Sequence, residues 1–236
     1  MAALLEVAGL DVFYGRAHIL HAVSFAVAAG DAVVLLGRNG AGKSTTIKAI
    51  MGLVRPAGGS VRFQGARIDG LGPHAICRLG IGYVPEDRRI FTDLTVLENL
   101  ELGRRPAISN AAAWTPERLF ALFPNLAEVR HRSAGRISGG EQQMLAIART
   151  LMGNPLAVLL DEPFEGLAPL LAERLADNLR ALKRDGLCLV LAEQNWRFAA
   201  RIADRAAVIE SGRIRFTGAM ADLAADAAMR TRYLAL

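Results

Sequence analysis

DAVVLLGRNGAGKSTTIKAIMGL, residues 31–53, is the stretch that decides the fold. Residues 31–37 are an apolar run ending in glycine, the pattern of a strand buried on both faces. GRNGAGKST (37–45) then matches the spacing G-x-x-x-x-G-K-[S/T], and KSTTIKAIMGL reads as the helix that leaves it. Gly37, Gly40 and Gly42 leave room for the backbone N–H groups of a loop that includes Arg38, Asn39 and Ala41 to wrap phosphate oxygens. The helix N-terminus adds positive potential. Lys43 can reach β- and γ-phosphates, the Ser44 hydroxyl can ligate Mg²⁺, and Thr45 completes the motif.

A phosphate-bound metal needs a carboxylate, and a second buried strand supplies one. LAVLLDE (156–162) ends in Asp161, placed to bind Mg²⁺ through water, and Glu162, placed to orient or deprotonate an attacking water. By itself an Asp-Glu pair after a strand is a solvated turn; beside the phosphate loop it completes a nucleotide-hydrolysing site. The chain has no N-K-x-D stretch, the guanine-reading sequence, which weakens a GTPase assignment.

LCLVLAE (187–193) reads as a third buried strand and 169–184 as a crossover helix, so the core is α/β with a mostly parallel sheet. LLEVAGLDVFY, VSFAVAAG and GSVRFQG read as shorter strands of a small antiparallel layer. From 86 to 153 the strand signal vanishes and TVLENLEL, TPERLFALF and SGGEQQMLAIARTLM read as helices, with Thr115–Pro116 marking a start. The expected organisation is one domain over 1–236: an α/β core from 1–85 and 154–236, and an inserted helical subdomain over 86–153. The alanine-rich tail GAMADLAADAAMR reads as helix.

ISGGEQQ (137–143) separates this site from others of its kind. Ser138 and Glu141 have the spacing of a capping box, while Gly139 and Gly140 strip side chains from the same helix end, letting a phosphate approach. With the two preceding motifs in this order, the chain resembles ABC-type ATPases over nearly its whole length. The resemblance implies a P-loop fold and a dimer of two ATPase subunits with ATP sandwiched between them. Each ATP then lies between one subunit's phosphate loop and the other's Ser138, Gly139, Gly140 and Glu141. It also makes Tyr14 the aromatic platform for adenine.

GYVPEDRRIFTDLTVLENL (82–100), LLDEPFEGLAP (159–169) and LAEQN (191–195) are similar to the LivF-type ATPases of bacterial branched-chain amino-acid importers. Three positions depart from the general family pattern. Glu86 replaces a glutamine, keeping an oxygen for Mg²⁺ but losing the amide donor. Ala168 stands where an aspartate is common. Gln194 replaces the switch histidine, and all four histidines lie upstream of residue 156. An amide there can sense the γ-phosphate but carries no charge or proton. The implied partners are a second ATPase subunit (heterodimer in the cell, homodimer in isolation), two permease subunits and an extracytoplasmic solute-binding protein. The implied place is the cytoplasmic face of the bacterial inner membrane.

Bulk properties fit this reading. At 236 residues and 52% hydrophobic content the chain can bury a sizeable core. The N-terminus lacks a basic region followed by an apolar one, and no apolar run is long enough to span a bilayer. Cys77 and Cys188 read as reduced core residues. Net charge is +5, with arginines clustered at 88–89, 104–105 and 130–136. Charge alone allows a rival function, a soluble ATPase acting on nucleic acid or ribosomes. Such proteins usually carry long coiled-coil arms or two cassettes, and this chain has neither, so no nucleic-acid partner is expected. A regulatory subunit that binds ATP without hydrolysing it is the other rival, motivated by Glu86, Ala168 and Gln194. An importer of the same type for amides, urea or other small solutes is the variant closest to the favoured reading.

Overall fold

A computed structural model describes residues 3–107 and 112–234, with side chains through 231. In chain order the elements are β1 (Ala3–Tyr14), β2 (Ala17–Ala28), β3 (Ala32–Leu36), α1 (Lys43–Ile50), β4 (Gly58–Phe63), β5 (Ala66–Arg67) and α2 (Pro73–Arg78). Then come β6 (Ile81–Val84), α3 (Val96–Gly103), α4 (Pro116–Leu122), α5 (Pro124–Glu128), α6 (Gly139–Leu151), β7 (Ala157–Asp161) and α7 (Pro169–Arg184). The chain continues through β8 (Cys188–Glu193), α8 (Trp196–Ile202), β9 (Arg205–Glu210), β10 (Arg213–Ala219), α9 (Met220–Ala225) and α10 (Ala227–Leu234).

The central sheet has the order β10-β9-β3-β8-β7-β6, parallel throughout except for β10. Its inner strands are apolar on both faces because both are covered. Val34 and Leu36 of β3 pack with the helical side, including Leu145 of α6 and Leu175 of α7. Val33 and Leu35 pack the opposite way, with Ile47 of α1 and with Leu5, Leu20 and Val61 of the antiparallel sheet β2-β1-β4-β5. The fold is thus an α/β P-loop core with a second, antiparallel sheet. Between β6 and β7 the described residues form helices and no named strand, only an isolated bridge between Thr95 and Ser133.

Some strands escape sequence patterning. β2 begins at Ala17, six residues before the apolar stretch that announces it, because pairing with β1 extends down to Tyr14–Ala17. β6 and β9 carry no strong sequence signal, whereas the Arg-Ile-Arg-Phe alternation of β10 is a strand pattern that the sequence reading passed over. β6 is four residues long and includes Gly82, and β10 is an edge strand whose exposure alternates. The tail helix is split at Asp226, whose carboxylate caps the second piece by accepting from Met229 N. Cys188 is buried as expected, whereas Cys77 is only half-buried. Among the described residues no helix is long and apolar enough to cross a membrane.

The two sheets meet at one tight joint. Gly212, between β9 and β10, accepts from His21 N on β2 at 2.8 Å and donates to Ala41 O of the glycine loop at 2.8 Å. It is left-handed (φ 72), and a Cβ there would collide with the Ile19 carbonyl. Gly212→Ala therefore combines backbone strain with overpacking and should cost about 2–4 kcal/mol in urea unfolding; an unchanged midpoint would mean that this joint is soft.

Candidate active site

The site forms where the carboxyl ends of β3, β8 and β7 lie side by side. In parallel α/β sheets, ligands bind outside these ends. After β3 the chain turns through residues 37–42 into α1. Gly42 sits just before the helix with φ 112, and a Cβ there would lie 2.7 Å from Leu20 Cδ2. Only glycine satisfies both the conformation and the close approach of β2.

Lys43 is 4% exposed. Its Nζ donates to Gly37 O at 2.8 Å and Arg38 O at 3.2 Å, and pairs with Glu162 Oε1 at 2.9 Å. Ser44 Oγ donates to Asp161 Oδ1 at 2.7 Å. The end of β7 is thus bound to the start of α1 by one ion pair and one hydrogen bond. Glu162 is a left-handed non-glycine residue (φ 47) whose N–H donates to Ala192 O of β8 at 2.9 Å. That turn swings its side chain away from the line of the strand and toward Lys43. A strained backbone held so firmly is a mark of a functional position.

A cavity of about 270 Å³ opens over these groups, lined by Asn39, Gly40, Gly42, Lys43, Ser44, Thr45, Glu86, Glu162, Glu165 and Ile19. Arg38, Asn39, Gly40 and Ala41 also border a neighbouring hollow against Ile209, Glu210 and Ser211. Glu86 belongs to the first cavity. Burial, then the negative charges of Glu165, Asp161 and Glu162, hold its carboxyl above the ordinary range. Asp161 is likewise raised by burial, opposed by the Ser44 hydroxyl and by Lys48 and Lys43. The surplus of acid fits a divalent cation. The Ser44 hydroxyl and Asp161 carboxylate are hard oxygen donors already in contact, and Mg²⁺ typically takes one or two protein oxygens plus phosphates and water.

Other sequence-selected residues lie outside this cavity's lining. Tyr14 is exposed at the end of β1, and Ile19 of the facing strand lines the cavity instead. Gln194 is exposed just beyond β8. Ser138 and Glu141 form a reciprocal capping box at the start of α6, with Ser138 N donating to Glu141 Oε2 at 2.7 Å and Glu141 N donating to Ser138 Oγ at 3.3 Å. Gly140 allows α7 to pack, since a Cβ there would lie 2.5 Å from Leu171 Cδ1.

Glu193 and Glu165 are the acidic groups that sequence reading passed over. Glu193 is 1% exposed and accepts from Phe164 N at 3.3 Å and Asn195 N at 3.2 Å. Burial first, then the negative charge of Glu162, pushes its carboxyl up to about 8, so it is largely protonated at neutral pH. A charged residue ending an apolar run was the available signal.

Glu193 titrates near its ordinary 4.5 when unfolded and near 8 when folded, so its stabilising contribution is complete below about 4.5 and declines as pH rises through about 8. Glu193→Gln removes the titrating proton but keeps only one of the two acceptor oxygens, so it should flatten the stability–pH curve across that window at a cost of about 1 kcal/mol. Glu193→Leu leaves two N–H groups unsatisfied and should cost about 1–3 kcal/mol. A Glu193→Gln curve that keeps the wild-type pH dependence would contradict a protonated Glu193.

Comparison with known proteins follows the same lines. Residues 20–165 match the family model described as ABC transporter. The chain is 42% identical over 225 residues to the high-affinity branched-chain amino acid transport ATP-binding protein BraG of Pseudomonas aeruginosa, covering 95% of this chain and 97% of that one. It is 36% identical to the probable branched-chain amino acid transport ATP-binding protein LivF of Archaeoglobus fulgidus, covering 93% and 94%. The crystal structure of an ATP-binding cassette of an ABC transporter in its ADP conformation superimposes with a TM-score of 0.82 at 26% identity, covering 97% of each chain.

Proposed function

The chain belongs to the ABC transporter family, and on that premise we propose that it is the ATP-hydrolysing subunit of a branched-chain amino-acid importer. The observation that carries the hydrolytic part is the meeting of Lys43, Ser44 and Glu162 at one cavity, with Asp161 held by Ser44, through contacts of 2.7 and 2.9 Å. The solute rests on the similarity to BraG and LivF, which spans nearly the full length of all three chains.

In this reading the loop amides of residues 38–45 and the Lys43 ammonium bind the ATP phosphates, Lys43 leaving Glu162 for the β- and γ-oxygens. Ser44, Asp161 (through water) and Glu86 are the residues that would hold Mg²⁺, which would supply charge neutralisation for the phosphates. Glu162, released from Lys43, orients a water for attack on the γ-phosphorus and takes its proton, while ADP departs. Gln194 approaches the γ-phosphate through its amide, and Tyr14 stacks on adenine. Ser138, Gly139 and Gly140 serve the ATP of a second ATPase subunit, so the working unit is a dimer, a heterodimer in the cell. Two permease chains and an extracytoplasmic solute-binding protein complete the complex at the cytoplasmic face of the inner membrane. An intact Lys43–Ser44–Asp161–Glu162 set speaks against a purely regulatory subunit.

The test is ATP hydrolysis by the complex co-purified with its permease and reconstituted in liposomes. Binding protein loaded with leucine, isoleucine or valine should stimulate turnover. Stimulation by amides or urea instead would overturn the solute assignment. Glu162→Gln should lower turnover about 10²-fold or more; full activity would remove Glu162 as the base. Gln194→His should retain more activity than Gln194→Ala, and wild-type turnover should show no histidine-like titration near pH ~6.5. Equal loss in both Gln194 variants would count against γ-phosphate sensing.

A further inference from the structure

Arg88 is a charged group that the mechanism above leaves unused. It lies two residues beyond Glu86, on the loop joining β6 to α3. Arg88 (φ 60) and Arg89 (φ 49) are both left-handed, a conformation disfavoured for residues with a Cβ. The loop is clamped from two sides. Arg149 of α6 donates to Arg89 O at 2.6 Å, while the Asn99 amide of α3 accepts from Phe91 N at 3.0 Å and donates to Phe91 O at 2.9 Å.

The clamp sets the guanidinium against the turn that opens α6. A Cβ on Gly139 would lie 3.0 Å from Arg88 Nη1, and one on Gly166 would lie 3.8 Å from Nη2. Gly139 is not left-handed, so what its missing side chain provides is room for this arginine. Among the described residues the guanidinium has no carboxylate partner and no hydrogen-bond acceptor. It stands at the positive end of a 13-residue helix, where an unpaired cation is disfavoured. The nearby acid, Glu141, has an oxygen engaged by Ser138 N. A multiply charged anion arriving at Ser138–Gly140 would relieve both the repulsion and the missing partner.

We infer that Arg88 is a nucleotide-binding residue of the composite site: its guanidinium binds the γ-phosphate of the ATP held by the second subunit's phosphate loop, beside Ser138, Gly139 and Gly140. The inference rests on the two-subunit reading above. One short loop then addresses two nucleotides, Glu86 facing this chain's own and Arg88 the partner's.

ATP-driven association of the Glu162→Gln chain, alone and mixed with its co-purified partner ATPase, tests it by size-exclusion chromatography with light scattering. Adding Arg88→Ala should raise the ATP concentration for half-maximal association about 10- to 100-fold. Arg88→Lys should recover to within about threefold, since it keeps the charge but not the fork. ADP affinity of the chain's own phosphate loop should stay unchanged in both variants, and the thermal midpoint should not fall in either. Unaltered association in Arg88→Ala, or a loss matched in ADP affinity or thermal midpoint, would overturn the role of Arg88. If Glu162→Gln itself fails to associate with ATP in either preparation, the sandwich reading fails, and this inference with it.

Discussion

A lysine ammonium that is 4% exposed must find negative charge inside the protein, and Lys43 finds it in Glu162. That contact joins the loop after β3 to the end of β7, although β8 lies between them in the sheet. It requires Glu162 to turn left-handed, the glycine loop to pass close to β2, and the three strand ends to stay in register. The parallel pairing of Leu36 with Glu193 and of Asp161 with Ala192 supplies that register. The antiparallel sheet and the Gly212 joint matter to function because they press on the same loop from outside.

The strand between the two partners ends in Glu193. Were it ionised, a second buried negative charge would stand beside Glu162. Burial and that same charge keep Glu193 protonated, so it serves as a neutral spacer bonding the Phe164 and Asn195 amides. Glu86 and Glu165 line the cavity with Glu162, and a cation arriving together with phosphates would balance the charge there. Asp161 is as deeply buried as Glu193, and what separates them is the company: the Ser44 hydroxyl and two lysines near Asp161, the Glu162 carboxylate near Glu193.

Much of this arrangement is legible in the sequence. β3, β7 and β8 are continuous apolar runs because both sheet faces are covered, and the glycine loop announces itself by spacing. The capping box at Ser138–Glu141 is legible for the same reason, being a local pattern with a local cause. What escapes is set by tertiary contact. β9 takes its strand character from pairing with β3 and β10 rather than from its own patterning. Arg88 reads as one arginine of a basic cluster until the clamp from Arg149 and Asn99 shows where its guanidinium lies. Glu193 reads as the polar end of a strand, and only its burial reveals a protonated acid. Tyr14, assigned by resemblance alone, lies on an exposed strand end outside the cavity lining, so its role depends on a bound base rather than on any contact within the chain.

The proposed mechanism turns on competition for Lys43: Glu162 occupies it in the free chain, and nucleotide phosphates would replace Glu162 there. Calorimetric titration of Mg-ATP into wild type and Glu162→Gln measures that competition directly. Removing the competing carboxylate should tighten ATP binding by about threefold or more, equivalent to roughly 0.7 kcal/mol, with a smaller change for ADP, which lacks the γ-phosphate. Unchanged or weaker ATP binding in Glu162→Gln would contradict the exchange and leave the ion pair a purely structural contact.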